Sequence, residues 1–143
     1  MASLSREIPL GAHTALLIID AQNYCWVRNR GLWQNESDGA PSAYYWRSVE
    51  NAKTNIAALL RAARRGGFDG GGRLVPRAER IFTVIEALTS DARDRSLDYK
   101  ISGLRVVKGS WEARVVEALE PLPDAIVLPK GSSSVFISTN ITY

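Results

Sequence analysis

The chain of 143 residues, 45% of them hydrophobic, is long enough for one domain with a core and too short for two full domains. Its 18 Lys and Arg residues and 15 Asp and Glu residues give a formal net charge of +3. Because the basic residues are spread along the chain, this charge predicts no nucleic-acid partner. A single Cys and a single His exclude an internal disulfide framework and predict no zinc site.

The amino-terminal residues 1–13 contain no apolar signal core, and no stretch reaches the roughly 18 apolar residues of a membrane span. A chain with one cysteine is typical of a reducing compartment. We therefore predict a cytoplasmic protein that makes no membrane contact and needs no cofactor.

The first predicted element is a strand over residues 14–19, a continuous apolar run without helical spacing. Such runs are typical of strands that are buried on both faces of a parallel sheet. The strand ends at Asp20. Residues 42–65 then carry apolar side chains at helical spacing, and Gly66 follows them, so a long helix is predicted that ends there.

Two further strands are predicted later in the chain, over residues 81–85 and 125–128, because both runs are rich in β-branched residues. Residues 110–119 between them predict a short helix that Pro121 ends. The order β-α-β-α-β predicts an α/β fold whose parallel sheet has right-handed crossover connections.

Two regions do not suit this simple order. Residues 68–80 place three consecutive glycines and a proline where a helix-to-strand connection needs only about 2–6 residues, which indicates an inserted loop. Residues 139–143 resemble the first turn of a helix that does not continue. We therefore expect residues 1–143 to form a single, incomplete domain.

Polar side chains follow each predicted strand at its carboxyl end: Asp20, Glu86 and Lys130. The carboxyl ends of parallel strands meet at one edge of the sheet, where loops diverge and leave a crevice. We expect Asp20 and Lys130 to lie on neighbouring strands at this edge, within reach of one another directly or through water. An acid and a lysine that face each other there favour each other's charged form. The alternative is a hydrated acid at a strand end and a lysine whose ammonium group simply reaches solvent.

Two motifs, TALLIIDAQNYC and DAIVLPKGSSSVFISTNITY, resemble those of the isochorismatase-like cysteine hydrolases. In the first, TALLIIDAQNYC, an aliphatic strand leads into Asp, a variable residue, Gln and Asn. In the second, DAIVLPKGSSSVFISTNITY, a strand ends in Pro-Lys and is followed by a serine-rich turn, Phe and a Thr-Asn pair. Both motifs occur in the family's order and spacing, and the resemblance covers nearly all of the chain outside residues 68–80.

This resemblance implies a Rossmann-like fold with three αβα layers and a hydrolase that cleaves a C–N bond of a small amide or ureide. It assigns the catalytic acid to Asp20 and the catalytic lysine to Lys130. In the family, the acid takes the proton of a cysteine thiol, the thiolate attacks the carbonyl carbon, and water hydrolyses the acyl-enzyme. That cysteine follows the lysine by a few dozen residues, so we expect this chain to be truncated before it and inactive alone.

The other candidate residues have both a structural and a functional interpretation. Cys25 is interpreted as a packing thiol rather than as the nucleophile. Gln22 and Asn23 either orient substrate or hold the Asp20 loop. The family's metal-binding members use histidines after the second strand, where this chain has none, so we predict no metal. Side chains assigned to substrate binding are Gln22, Tyr24, Glu86, Ser133, Ser134 and Phe136.

Two other hypotheses remain open from the sequence. The chain is either a non-catalytic regulatory subunit that pairs with a complete homologue or with its own copies, or the product of a faulty reading frame in which the Gly- and Arg-rich residues 68–80 are translated non-coding sequence. Substrate identity and oligomeric state do not follow from the residues.

Overall fold

The computed structural model describes residues 14–34, 40–68, 74–75 and 77–139. Residues 140–143, for which a first helical turn is predicted, lie outside these ranges. The strands are β1 (Ala15–Ile19), β2 (Gly67–Phe68), β3 (Leu74–Val75), β4 (Glu79–Ile85) and β5 (Ile126–Lys130). The α-helices are α1 (Asn23–Trp26), α2 (Ala40–Arg65), α3 (Leu97–Ile101) and α4 (Val135–Ser138), with 3₁₀ turns at Gly31–Trp33 and Glu117–Leu119.

Strands β1, β4 and β5 form a three-stranded parallel sheet in which β4 is central, whereas β2 and β3 form a separate two-stranded antiparallel sheet. The predicted α/β class with a parallel sheet is therefore confirmed. The strand register aligns Ile18 with Phe82 and Phe82 with Val127. Because side chains alternate across a strand, these three residues face the same side of the sheet.

The main core lies between this side of the sheet and helix α2. Ile18, Phe82 and Leu60 are at most 3% exposed there, and Leu119 closes the cluster. Helix α2 ends where predicted, because Gly66 adopts a left-handed backbone (φ +52°) that favours glycine. On the opposite side of the sheet, large apolar side chains are left open to solvent: Leu17, Ile19 and Ile126.

The predicted helix over residues 110–119 is wrong. Only Glu117–Leu119 is helical, as a 3₁₀ turn, and residues 111–116 run alongside the start of α1 instead. The backbone N–H of Asn23 donates to Arg114, and that of Val116 donates to Ala21. Tertiary hydrogen bonds thus replace the local helical ones, which the apolar spacing alone cannot reveal.

Strand β4 begins at Glu79, two residues before the predicted start and within the segment that was read as an inserted loop. Arg80 is 5% exposed, and its guanidinium group forms an ion pair with Asp124. The last two residues of the segment 68–80 thus belong to the sheet. It stays a prediction that the other residues of this segment are an insertion. No helix among the described residues is long and apolar enough to cross a membrane.

Candidate active site

The site is built on an ion pair at the carboxyl edge of the parallel sheet. Lys130, the last residue of β5, places its Nζ atom 2.9 Å from Oδ2 of Asp20, the residue that follows β1. The lysine side chain is 3% exposed and the aspartate side chain 23% exposed. The carboxylate is therefore the member of the pair that solvent and small molecules can reach.

Asp20 is also held from the central strand. Its backbone N–H donates to the carbonyl of Thr83 at 3.0 Å, and the Thr83 hydroxyl donates to Asp20 Oδ1 at 2.9 Å. Both carboxylate oxygens thus have a partner from the protein. Thr83 was not among the predicted site residues, although a polar residue within the apolar run IFTVI is a signal of this kind.

The backbone of Asp20 adopts a left-handed conformation, with φ at +53°. This region is unfavourable for residues with a Cβ atom and is tolerated best by Asn and Asp. Residues held in such conformations are concentrated at functional sites, because the surrounding structure must maintain the strain. Here the turn ends β1 and directs the carboxylate over the end of the sheet.

Asp20 and Lys130 share one edge of the sheet, but their strands are not neighbours, and that part of the prediction was wrong. Strand β4 lies between β1 and β5. The two side chains meet because the long lysine reaches across the end of the central strand while the Asp20 turn brings the carboxylate towards Thr83. Strand order depends on the crossover connections, which the motifs do not encode.

The turn after β5 wraps around the lysine. Lys130 Nζ donates to the carbonyl oxygens of Ser132 and Ser133 at 3.3 and 3.4 Å. The Ser133 hydroxyl donates to Asp98, and the Ser134 hydroxyl accepts the backbone N–H of Phe136 as the cap of α4. The backbone carbonyl groups of the serine-rich turn therefore bind the ammonium group of Lys130. Substrate binding by Ser133 and Ser134 stays a prediction.

The remaining candidates lie around this pair without joining it. Phe136 is 70% exposed. Glu86 follows β4, and its carboxylate accepts the backbone N–H of Gly109 at 2.6 Å. Tyr24 is partly buried, and burial is the main reason that its pKa is raised, followed by the charges of Cys25 and Tyr99. Substrate binding by Phe136, Glu86 and Tyr24 stays a prediction.

A cavity of about 770 Å³ opens beside the site, between the central strand and residues 109–121. Glu86 and Asn23 line it, together with Val84 of β4, whereas Asp20 and Lys130 do not. We give the ion pair more weight than the cavity, because the pair combines charge, burial and backbone strain at one position.

Cys25 is poorly suited to act as a nucleophile. Burial and the negative charge of Asp20 raise its pKa to about 11, and the opposing charge of Lys130 does not offset them. A thiol with this pKa is almost entirely protonated near neutral pH. Its backbone carbonyl accepts hydrogen bonds from Trp33 and Tyr45, both at 2.7 Å, so the residue is part of an aromatic packing cluster.

The acidic residues after β4 are engaged locally. Asp94 accepts hydrogen bonds from the Thr89 hydroxyl and from the backbone N–H groups of Leu88 and Thr89. Although desolvation raises the pKa of Asp94, these hydrogen bonds lower it to about 2. Among residues 14–34, 40–68, 74–75 and 77–139, no three His, Cys, Asp or Glu side chains are grouped so that they could hold a metal ion.

The parallel sheet and the crossovers that surround this edge define the isochorismatase-like hydrolase fold. The chain is similar to an isochorismatase family protein from Desulfovibrio vulgaris subsp. vulgaris str. Hildenborough, with a TM-score of 0.58 and 25% sequence identity over 92% of this chain and 60% of that one. The resemblance that the two motifs predicted is thus confirmed for the fold.

Two other solved structures share the fold. An isochorismatase-like hydrolase from Alkaliphilus metalliredigens matches with a TM-score of 0.55 and 20% identity over 92% of this chain and 56% of that one. The N-carbamoylsarcosine amidase from Thermoplasma acidophilum matches with a TM-score of 0.53 and 19% identity over 91% and 58%. This chain therefore spans about three fifths of each neighbour. No family profile and no curated protein matches the sequence.

Proposed function

We propose that Asp20 and Lys130 are the acid and the lysine of a site that hydrolyses a C–N bond in a small amide or ureide. The observation that carries this proposal is the 2.9 Å ion pair at the carboxyl edge of the sheet, with Asp20 in a left-handed conformation. The fold supports it, because one structural neighbour is an N-carbamoylsarcosine amidase.

The burial of the pair suggests how the two residues divide the work. Asp20, with 23% of its side chain exposed, takes the proton of the attacking thiol and later returns it to the leaving nitrogen. Lys130, with 3% exposed, lies behind the carboxylate and stabilises its charge. The thiolate adds to the carbonyl carbon, the C–N bond breaks, and water hydrolyses the thioester to restore the thiol.

We propose that the thiol in this reaction is not Cys25, because burial raises its pKa to about 11 and its thiolate fraction is small near neutral pH. Cys25 is also the only cysteine of the 143 residues. We therefore propose that these 143 residues alone hydrolyse no amide at a measurable rate.

The test compares four proteins on a panel of small amides and ureides. They are this chain, the chain extended after Tyr143 by a cysteine-bearing segment of the kind that the resemblance implies, and the extended chain with Asp20→Asn or with Lys130→Ala. We expect hydrolysis only by the extended chain without substitutions. Turnover by the unextended chain that survives Asp20→Asn and Lys130→Ala in that chain would contradict the proposal. Turnover that disappears with Cys25→Ala would show that Cys25 is the thiol after all.

The open side of the sheet favours a second candidate function, which is pairing with a complete homologue. Leu17, Ile19 and Ile126 are 42, 62 and 44% exposed, and the register places Leu17 and Ile126 on either side of Ile81. A contiguous apolar patch of this kind favours contact with another protein. Light scattering on a mixture with such a homologue tests the proposal, and two separate species at every concentration would contradict it.

A further inference from the structure

Gln22 is the most completely buried polar residue near the ion pair, with 0% of its surface exposed. Its carboxamide oxygen accepts the backbone N–H of Ile85. Its carboxamide nitrogen donates to the carbonyl of Ile85 at 3.0 Å and to the carbonyl of Glu112 at 3.1 Å. Both N–H donors of the side chain are therefore used by the protein, and no atom of the group faces a ligand.

The bonds from the Gln22 side chain to Ile85 replace the backbone bonds that another residue of β1 would make to β4. Strand β1 leaves the sheet after Ile19, which is aligned with Thr83, and the last backbone bond of the ladder is donated by Asp20 to Thr83. Two residues further along β4, the N–H and C=O groups of Ile85 point to the same side. Without β1 they would be buried and unpaired, at a considerable free-energy cost. The Gln22 carboxamide provides the missing donor and acceptor.

Ile85 is also in direct contact with the lysine of the pair. Ile85 is aligned with Lys130 in the β4–β5 register, and the backbone N–H of Glu86 donates to the carbonyl of Lys130 at 3.1 Å. Ile85 is thus hydrogen-bonded to the Gln22 side chain on one side of β4, and Glu86, the next residue, is hydrogen-bonded to β5 on the other side. The carboxamide therefore bonds the residue of β4 that is aligned with Lys130, and it does so two residues after Asp20.

We propose that Gln22 is a positioning residue for the Asp20–Lys130 pair, since its carboxamide substitutes for a residue of β1 and lets Asp20 turn out of the sheet. The proposal selects one of the two interpretations that the sequence left open for Gln22, holding the Asp20 loop rather than contacting substrate. The role of Gln22 in catalysis rests on the proposed function. Its role in holding the Asp20–Lys130 pair does not, so the experiments below measure the pair itself and need no enzyme activity.

The first experiment uses Gln22→Met in the 143-residue chain, a substitution of similar size that removes all three hydrogen bonds. The chain offers a matched control in Gln34→Met, because Gln34 is an exposed glutamine. We measure the acylation rate of Lys130 relative to the exposed Lys100 and the hydrogen exchange of the Ile85 amide relative to that of Phe82. Asp20→Asn provides the reference for a released lysine.

We expect Gln22→Met to raise the relative acylation of Lys130 and the relative exchange of the Ile85 amide on the order of tenfold or more. Gln34→Met should change neither ratio. An unchanged Lys130 ratio would overturn the proposal. An equal rise at Phe82 and Ile85 would also overturn it, since that result describes a general loss of stability rather than a local release of the pair.

The second experiment remains informative if Gln22→Met does not fold, and it uses Gln22→Glu. An ionised Glu accepts from Ile85 but faces two carbonyl oxygens, which raises the pKa of the introduced carboxyl group. A protonated Glu donates to one of those carbonyls and restores the pairing with Ile85. The NMR signal of the Lys130 ammonium group, sharp in the unsubstituted chain, should therefore be lost near pH 7 and return near pH 5.

The absence of this rescue at the lower pH, with the chain still folded, would overturn the positioning role. The outcomes also separate the two proposals. If the pair opens in Gln22→Met but the extended chain hydrolyses no amide, the hydrolase function fails and the positioning role of Gln22 stands. If the extended chain is active and the pair does not respond to Gln22, only the positioning role fails.

Discussion

Two ion pairs lie at opposite ends of the same parallel sheet, and both contain a buried cation. At the carboxyl edge, Lys130 binds Asp20, with 3 and 23% of the side chains exposed. At the amino edge, Arg80 binds Asp124, with 6 and 53% exposed. The two cations thus have the same charge and nearly the same burial. A comparison of the two pairs therefore separates the contribution of an ion pair to the stability of the fold from its contribution to a functional site.

The surroundings of the two carboxylates differ. Asp124 has one further cation at 3.4 Å, that of Arg77, and a largely open side chain. Asp20 has a strained backbone and a hydroxyl partner in Thr83, and diverging loops surround it. The comparison indicates that the position at the carboxyl edge and the strained backbone of Asp20 distinguish this ion pair as the candidate active site.

The largest expected effect concerns activity. In the extended chain, Asp20→Asn should lower kcat/KM on the order of 10³-fold, because it removes the proton acceptor. Asp124→Asn, the matched change at the amino edge, should leave kcat/KM within about twofold. Steady-state kinetics on the same amide measures both. Equal losses would mean that the two pairs do not differ in function and would break the comparison.

The next effect concerns stability. Asp20→Asn tolerates the left-handed backbone and removes only the charge, so it should lower the free energy of unfolding by about 3 kcal/mol by leaving the buried Lys130 cation unpaired. Asp124→Asn should cost less, since 53% of the Asp124 side chain is exposed and solvent screens its attraction to Arg80. Urea unfolding measures both values. The double variant Asp20→Asn with Lys130→Met should recover most of the loss, and failure to do so would argue against an electrostatic origin.

The thiol beside the carboxyl edge provides a third test. Because the pKa of Cys25 is raised from its ordinary value of 9.0 to about 11, the thiol should react with iodoacetamide about 100-fold more slowly than an unperturbed thiol near pH 8. The rate should rise with pH until about pH 11. Mass spectrometry of the alkylated chain follows the reaction, with glutathione as the reference. Fast alkylation near neutral pH would return Cys25 to the list of candidate nucleophiles.

The smallest effect is the pH dependence at the amino edge. Hydrogen bonding from Arg80 lowers the pKa of Asp124. Because the folded pKa lies below the unfolded value of about 3.9, the stabilising contribution is present above about pH 4 and is lost as the pH falls through the folded pKa. The difference in urea midpoint between the unsubstituted chain and Asp124→Asn should therefore shrink from about pH 5 to about pH 3. A difference that grows over this range would contradict the assigned direction.

Much of the fold could be predicted from local signals. The apolar run over residues 14–19 matches β1, and the helical spacing over residues 42–65 matches α2 to within two residues at either end. The predicted strands begin one to two residues away from the observed ones. These signals are reliable because the periodicity of apolar residues reflects which side of a strand or helix is buried.

The helix predicted over residues 110–119 shows where local signals fail. Its apolar residues Val115 and Val116 are buried, as the pattern indicated, but by pairing with Ala21 and its neighbours rather than by a helical face. The partners are about 90 residues apart in the chain, as the bond from Gln22 to Glu112 illustrates. A window of ten residues does not contain this information.

The sequence by itself determined that Asp20 and Lys130 stand at the carboxyl ends of two strands, because a run of apolar residues that ends in a polar one marks the end of a buried strand. Only the tertiary structure decided that their side chains meet at 2.9 Å across a central strand. It also decided that the Thr83 hydroxyl bonds the carboxylate and that the Gln22 carboxamide bonds the Ile85 backbone beside it. The physical reason is that strand order and backbone pairing depend on contacts between distant parts of the chain, whose free energy no local pattern of residues encodes.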